Sequence, residues 1–409
     1  IIDNPLMKNT IFVFLILIAL LFDPLISTAV AQSRVDISNQ TVEYEFGSEL
    51  VFQIEFETTS SLESLTLFIQ AAGVPTFVGA VPILEEGQGS FVYDLSTRPL
   101  PVFSNVSYYY QFSLTDGGVV DSPIYQFTYL DNRFNWQELI DLPFKIYWYE
   151  GEITLAQDVL DAAIEGQEKI LELLQQPPDN QPITIFIYNT EEDLRLSINS
   201  VGQSWVGGQA DPGRGSVVVA LPEAVDQPLE IQRLIPHELT HIYLYRFMGA
   251  EYDYLPAWFS EGLASQMETF SLPEYDLILE RANSENDLIP FLHICQAFPT
   301  DSDLVMQSYA QSNSLVGYLR RQYGLPVLQA LINAYDLGLS CERGVESALN
   351  MTLDDLDQEW RRNTFGGGNN TLLIYILVAI LFALIAGLAL FIFSRIRGES
   401  EGDWGGEDL

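Results

Sequence analysis

The chain has 409 residues, with 18 Lys and Arg against 56 Asp and Glu, a formal net charge of −38. A surface so acidic repels phosphate backbones and excludes nucleic-acid binding as a function class. A hydrophobic content of 48% excludes a disordered acidic chain, and the length suits two domains with appendages better than one core.

Met7-Lys8 leads into the apolar run Ile11 to Phe22, and Ala29-Val30-Ala31 offers a small-x-small cleavage site. Residues 1–31 therefore read as a signal peptide whose true start is Met7, with an uncleaved anchor as the alternative. From residue 33 to 133 the pattern is strand and turn. Strands are predicted at Val42 to Phe46, Leu50 to Phe56, Leu65 to Gln70, Ser90 to Asp94, Val106 to Thr115 and Ile124 to Tyr129, separated by turns such as Asp116-Gly117-Gly118. Short alternating strands at this density predict an immunoglobulin-like β-sandwich, with Tyr108 and Tyr110 in its core or on a sheet face.

A second domain is expected over 142–363. Phe144 to Tyr149 reads as a strand, Leu155 to Leu174 as an amphipathic helix stopped by Pro177-Pro178, and Ile183 to Tyr188 as a strand buried on both faces. A Gly-rich stretch, Gln203 to Arg214, precedes a strand at Ser216 to Leu221. After Ala264 the pattern is helical, with helices at Ser312 to Tyr323, Leu325 to Tyr335, Val345 to Leu349 and Leu353 to Arg362. The fold class expected is thus α+β and multidomain.

Thr364 to Thr371 reads as a flexible linker (364–371). Leu372 to Phe393 then carries no charge and, as a helix of about 33 Å, is long enough to span a bilayer. Arg395 and Arg397 follow, which favours a cytoplasmic side for the acidic tail, 394–409. The expectation is a single-pass cell-membrane protein with both N-terminal domains extracellular, acting on extracellular or envelope peptides and proteins. Cys295 and Cys341 would lie in the exported part, where a disulfide between them persists; two separate buried thiols are the alternative.

The chemistry concentrates in His237-Glu238-Leu239-Thr240-His241 and Trp258-Phe259-Ser260-Glu261-Gly262. Histidines four apart share one helix face and can reach one metal ion, while Glu238 is turned about 100° away and can face a water. Glu261 completes a two-His, one-Glu shell with a fourth position open, the arrangement of a catalytic zinc site. The flanking residues Leu234, Ile235, Leu239, Ile242 and Tyr243 read as a buried helix, where unliganded histidines are costly. Pro236 either starts that helix or kinks it.

At these residues the chain resembles the gluzincin zinc metallopeptidases, in particular the peptidase MA-like family, with the ligand spacing of thermolysin-like enzymes. The resemblance runs from about Phe144 to Asn363 and includes a downstream block, Tyr309-Ala-Gln-Ser312. It implies Zn2+ bound by His237, His241 and Glu261, Glu238 as general base, and Tyr309 as the donor that steadies the oxyanion. His293 is the other candidate for that donor, or else a structural residue beside Cys295. The resemblance further implies that Ser216 to Leu221 is the cleft-edge strand that pairs with substrate. Alternatives are a non-peptidase zinc hydrolase and a surface binding protein built on an inactive scaffold of the same type.

Overall fold

The computed structural model describes residues 35–177, 180–198, 207–269, 272–366 and 368–399, which form two compact units divided between Asn132 and Arg133. The signal-peptide assignment for 1–31 and the last ten residues of the tail lie outside the described residues.

The first unit is built of antiparallel strands. Strands β1 (Val35–Glu45), β2 (Glu49–Thr58), β6 (Gln88–Asp94) and β5 (Ile83–Glu85) form one sheet in that order. The other has β4 (Phe77–Ala80), β3 (Leu62–Ala71), β7 (Ser104–Leu114) and β8 (Val119–Asp121), with β9 (Tyr125–Tyr129) also paired to β7. Alternation drives the sandwich: every second residue of β7, including Tyr108, Tyr110 and Phe112, is buried. These meet Phe52 and Phe56 of β2 across the core, with ring centroids 5.0 Å apart in the Phe52–Tyr108 and Phe56–Phe112 pairs.

The second unit holds a five-stranded sheet, in the order β10 (Gln137–Asp141), β11 (Phe144–Trp148), β12 (Ile183–Tyr188), β14 (Ser216–Ala220), β13 (Gly208–Asp211). Strand β10 falls outside the 142–363 range expected from the sequence. The three central strands are parallel and the two outer pairings antiparallel. Ile183, Ile185, Ile187, Val217 and Val219 are fully buried toward the helices α1 (Ile153–Leu174) and α3 (Gln227–Met248). On the other face Phe186 and Tyr188 pack with Trp136, so β12 is covered on both sides. A short helix, α2 (Glu191–Ser197), follows β12.

Two sequence expectations change here. Strand β14 does not lie at the edge of the sheet: it is flanked by β12 and β13, and β13 ends the sheet. Polar and glycine-rich composition hides β13 from a reading based on hydrophobic alternation. Pro236 does not start α3: it lies inside the helix, which continues on both sides of it.

The rest is helical: α4 (Ala257–Met267), α5 (Pro273–Glu285), α6 (Ser302–Tyr323), α7 (Leu325–Asp336), α8 (Cys341–Leu349) and α9 (Leu353–Phe365). Gly262 lets α4 and α6 approach closely, since a Cβ there would fall 2.6 Å from the Ser312 carbonyl oxygen. Cys295 and Cys341 are joined in a disulfide, with Cα atoms 6.0 Å apart. A final helix, α10 (Gly368–Glu399), begins inside the stretch read as a flexible linker.

The membrane assignment is corrected. Among the described residues no helix is long and apolar enough to cross a membrane. The single-pass span at 372–393 does not stand, and neither does the cell-membrane localisation that rested on it.

Candidate metal centre

Helix α3 supplies three of the candidate residues, His237, Glu238 and His241, from little more than one turn. His237 and His241 project from one face, with ring centroids 5.3 Å apart. Helix α4 brings in Glu261, opened by Pro256 at its N-cap and buried through Trp258, Phe259 and Leu263. His237 Nε2 stands 3.3 Å from Glu261 Oε2, and His241 Nε2 3.7 Å from the same oxygen. The three residues offer ligand atoms that all lie within 4.8 Å of one another.

The fit to a metal can be tested on these atoms. Tetrahedral ligands about 2.0–2.2 Å from an ion lie roughly 3.3–3.6 Å from each other, close to the 3.3 and 3.7 Å that separate Glu261 Oε2 from the two imidazoles. Glu261 Oε2 is buried and has no hydrogen-bond partner despite two nearby imidazoles. The three groups converge on a common point, which is what a shared cation requires. The donor set therefore fits a divalent metal.

Each imidazole is held from behind. His237 Nδ1 lies 2.8 Å from Glu268 Oε1, so the tautomer that donates to Glu268 leaves Nε2 free as a ligand. His241 Nδ1 has two hydroxyl neighbours, Tyr252 at 3.2 Å and Ser260 at 3.3 Å. Sequence reasoning missed Glu268, Tyr252 and Ser260. Only Glu268 left a signal, as an acid seven residues after Glu261 and thus on the same helical face.

Pro236 explains how Glu268 is placed. A proline at 236 cannot donate to the carbonyl of Gln232, one turn earlier. That carbonyl accepts instead from the Thr269 N–H at 3.2 Å, which docks the segment after α4 onto α3 beside His237. The Pro236 carbonyl accepts from the Thr240 hydroxyl at 2.7 Å. Gly166 of α1 makes room for the proline ring, since a Cβ there would come within 3.1 Å of it.

Glu238 faces strand β13 on the other side of the helix. Its carboxylate accepts from the Ala210 backbone N–H, and a Cβ on Gly208 would sit 2.8 Å from its Oε1. Burial pushes the Glu238 carboxyl above its ordinary value, partly offset by the two histidines. Burial also pushes the Glu261 carboxyl up, but the facing imidazoles outweigh it and hold it well below the usual carboxylate range. For His237, burial opposes the charged form, while Glu261 and Glu268 together carry it up to about 10.

A cavity of about 460 Å³ opens beside His237, lined among others by Gly208, Leu221, Arg233, Glu238, Glu268 and Tyr309. Tyr309, on α6, lies with its ring 6.5 Å from that of His237. The Glu261 charge and burial raise its phenol well above the ordinary value, so it stays a neutral donor at working pH. His293 is exposed on the turn Phe291–Ile294 and lines a different cavity with Cys295 and Cys341, away from the donor position.

Residues 165–366 match the family model of the Peptidase MA superfamily. No curated protein matches the chain. Among solved structures, an aminopeptidase N family protein from Idiomarina loihiensis is similar at 11% identity over 80% of this chain and 75% of that one, with a TM-score of 0.36. Catalytically inactive OgpA from Akkermansia muciniphila, in complex with an O-glycopeptide, aligns at 14% identity over 23% of this chain and 28% of that one, with a TM-score of 0.19. A carbohydrate-binding module of family 56, a β-1,3-glucan binding domain, aligns at 8% identity over 22% of this chain and 98% of that one, with a TM-score of 0.17. These structural likenesses are too distant to assign an activity. Through its segment 165–366 the chain belongs to the Peptidase MA superfamily, and the protein is metallopeptidase-like.

Proposed function

We propose that the protein is a zinc metallopeptidase of the gluzincin type, hydrolysing peptide bonds with His237, His241 and Glu261 as ligands and Glu238 as general base. The observation that carries this reading is the convergence of the three ligand atoms beside a buried carboxylate that is not one of them. A bound zinc supplies Lewis acidity toward a carbonyl and a lowered pKa for water. The chain's own groups do the rest. Glu238, raised above its ordinary value by burial, takes a proton from the attacking water and hands it to the leaving amine. The neutral Tyr309 hydroxyl donates to the oxyanion as charge develops.

Substrate would run along β13 in place of β14, since β13 ends the sheet and flanks Glu238. An extended peptide added there gains backbone hydrogen bonds and comes beside the catalytic carboxylate. The test is Glu238→Gln. It should keep metal and lose about 10²–10⁴-fold in turnover of a peptide-library digest. Full activity in that variant would sink the general-base assignment. A scaffold without activity is the reading left if the metal-loaded wild type cleaves nothing.

A further inference from the structure

The metal ligand Glu261 sits one turn into α4, and the start of that helix is tied to the disulfide from two directions. The Ala257 N–H, at the first position of α4, donates to the Cys295 carbonyl at 2.8 Å. The indole Nε1–H of Trp258 lies 3.3 Å from Cys341 Sγ. Trp258 is fully buried and packs on Phe291, ring centroids 5.8 Å apart, while Phe259 packs on Tyr335 at 5.7 Å. The Tyr335 hydroxyl in turn donates to the Cys341 carbonyl at 3.1 Å. The two cysteines therefore hold Ala257 and Trp258, one helical turn before the ligand.

We propose that the Cys295–Cys341 disulfide, acting through Ala257 and Trp258, positions Glu261, and that its reduction by a dithiol switches the metal centre off by weakening metal binding. The inference rests on the metallopeptidase reading above and adds to it a means of control.

The bond is placed for exchange. Both cysteines are partly exposed and line a cavity of about 570 Å³ with Tyr254, Pro256, Leu292 and His293. Cys341 is the first residue of α8, where the helix N-terminus favours a thiolate. The thiolate of a dithiol attacks Cys295 Sγ and forms a mixed disulfide. The Cys295–Cys341 bond breaks and its electron pair goes to Cys341 Sγ, stabilised by the helix end and the Trp258 N–H. The second thiol of the reductant then attacks the mixed disulfide, closing the oxidised cyclic dithiol and releasing Cys295. Two protons pass from the dithiol to the two cysteines. With the cross-link gone, the 291–295 turn and the start of α8 separate, and Trp258 and Ala257 lose their fixed partners. Glu261 then no longer has one position.

The experiment uses the full chain and compares the oxidised wild type with dithiol-reduced, desalted protein, with the Cys295→Ser/Cys341→Ser double variant and with Trp258→Phe. Zinc affinity is measured by competition with a chromophoric chelator, and folding by circular dichroism. The reduced protein and both variants should bind zinc about 10–100-fold more weakly, the range typical for outer supports of metal ligands. Activity should return at saturating zinc, because the ligands themselves are intact. If the double variant fails to fold, Trp258→Phe, which retains the disulfide, decides. Zinc affinity unchanged in a folded double variant, or in Trp258→Phe when the double variant does not fold, overturns the proposal and leaves the disulfide a global brace. Absence of zinc binding by the oxidised wild type removes the metal-centre reading itself, and this proposal with it.

Discussion

Glu268 Oε1 lies 2.8 Å from His237 Nδ1, and the carboxylate side chain is only 1% exposed. A buried acid behind a ligating imidazole fixes the ring's rotation and its tautomer together, and raises its basicity toward a metal. Glu268→Ala should lower zinc affinity about 10–100-fold, while Glu268→Gln, which can still accept from Nδ1, should lose less. Chelator competition on folded protein checks this. Equal affinity for the alanine variant and the wild type would show that His237 needs no such support.

Metal binding should release a proton. In the metal-free protein, burial disfavours the His237 cation, but Glu261 and Glu268 carry its pKa from 6.5 up to about 10. The folded value lies above the unfolded one, so the charged histidine contributes stability that is fully present below about pH 6.5. That contribution is lost as pH rises through about 10. A metal must displace this proton, so between about pH 7 and 9 the zinc affinity should climb roughly tenfold per pH unit. Calorimetric titration in buffers of differing ionisation enthalpy reads the proton directly, and no buffer dependence would contradict the charged His237.

Tyr309→Phe separates chemistry from binding. Among the described residues the Tyr309 hydroxyl makes no hydrogen bond to a ligand atom, so zinc affinity should be unchanged. If it donates to the oxyanion, kcat should fall about 10²–10³-fold with little change in KM. A loss under twofold would return Tyr309 to the role of a packing residue against Phe298, whose ring is 5.0 Å away.

Gly262→Ala probes the seam between α4 and α6. The added Cβ would fall 2.5 Å from Val316 Cγ2 and 2.6 Å from the Ser312 carbonyl oxygen, and the second contact is backbone that cannot rotate away. The helices must separate, at a cost of about 1–3 kcal/mol. Because Glu261 is the preceding residue, zinc affinity should fall with the thermal midpoint. A stable variant with native affinity would mean that α4 can shift without moving its ligand.

The sequence and the structure agree where a physical signal was strong. Alternation exposed β2, β3 and β7, and the four-residue histidine spacing placed His237 and His241 on one face. Legibility failed where the determining contact joins segments distant in sequence. Glu268 left only its seven-residue spacing from Glu261 and meets His237 once α3 and α4 pack, while Tyr252, on the turn after α3, carries no signal of its contact with His241. Strand β13 (GQAD) carries no apolar alternation to betray it, so the edge of the sheet was assigned to its neighbour. Charge-free composition at 372–393 suggested a span, but among the described residues no helix is long and apolar enough to cross a membrane.

Pro236 offers the sharpest separation of stability from function. Its missing N–H leaves the Gln232 carbonyl to the Thr269 N–H, which follows Glu268 directly. Pro236→Ala restores an N–H that can close the helical bond to Gln232, and alanine is favoured over proline in a helix interior by about 3 kcal/mol. The variant should melt no lower than the wild type. Its restored bond competes with Thr269 for one carbonyl, so the segment carrying Glu268 should loosen and zinc affinity should fall several-fold. A proline that merely tolerates the helix would give a change in melting temperature with no change in zinc binding. Amide exchange at Thr269 gives the third readout: it should quicken in Pro236→Ala, and protection equal to the wild type would show that the carbonyl was never the anchor.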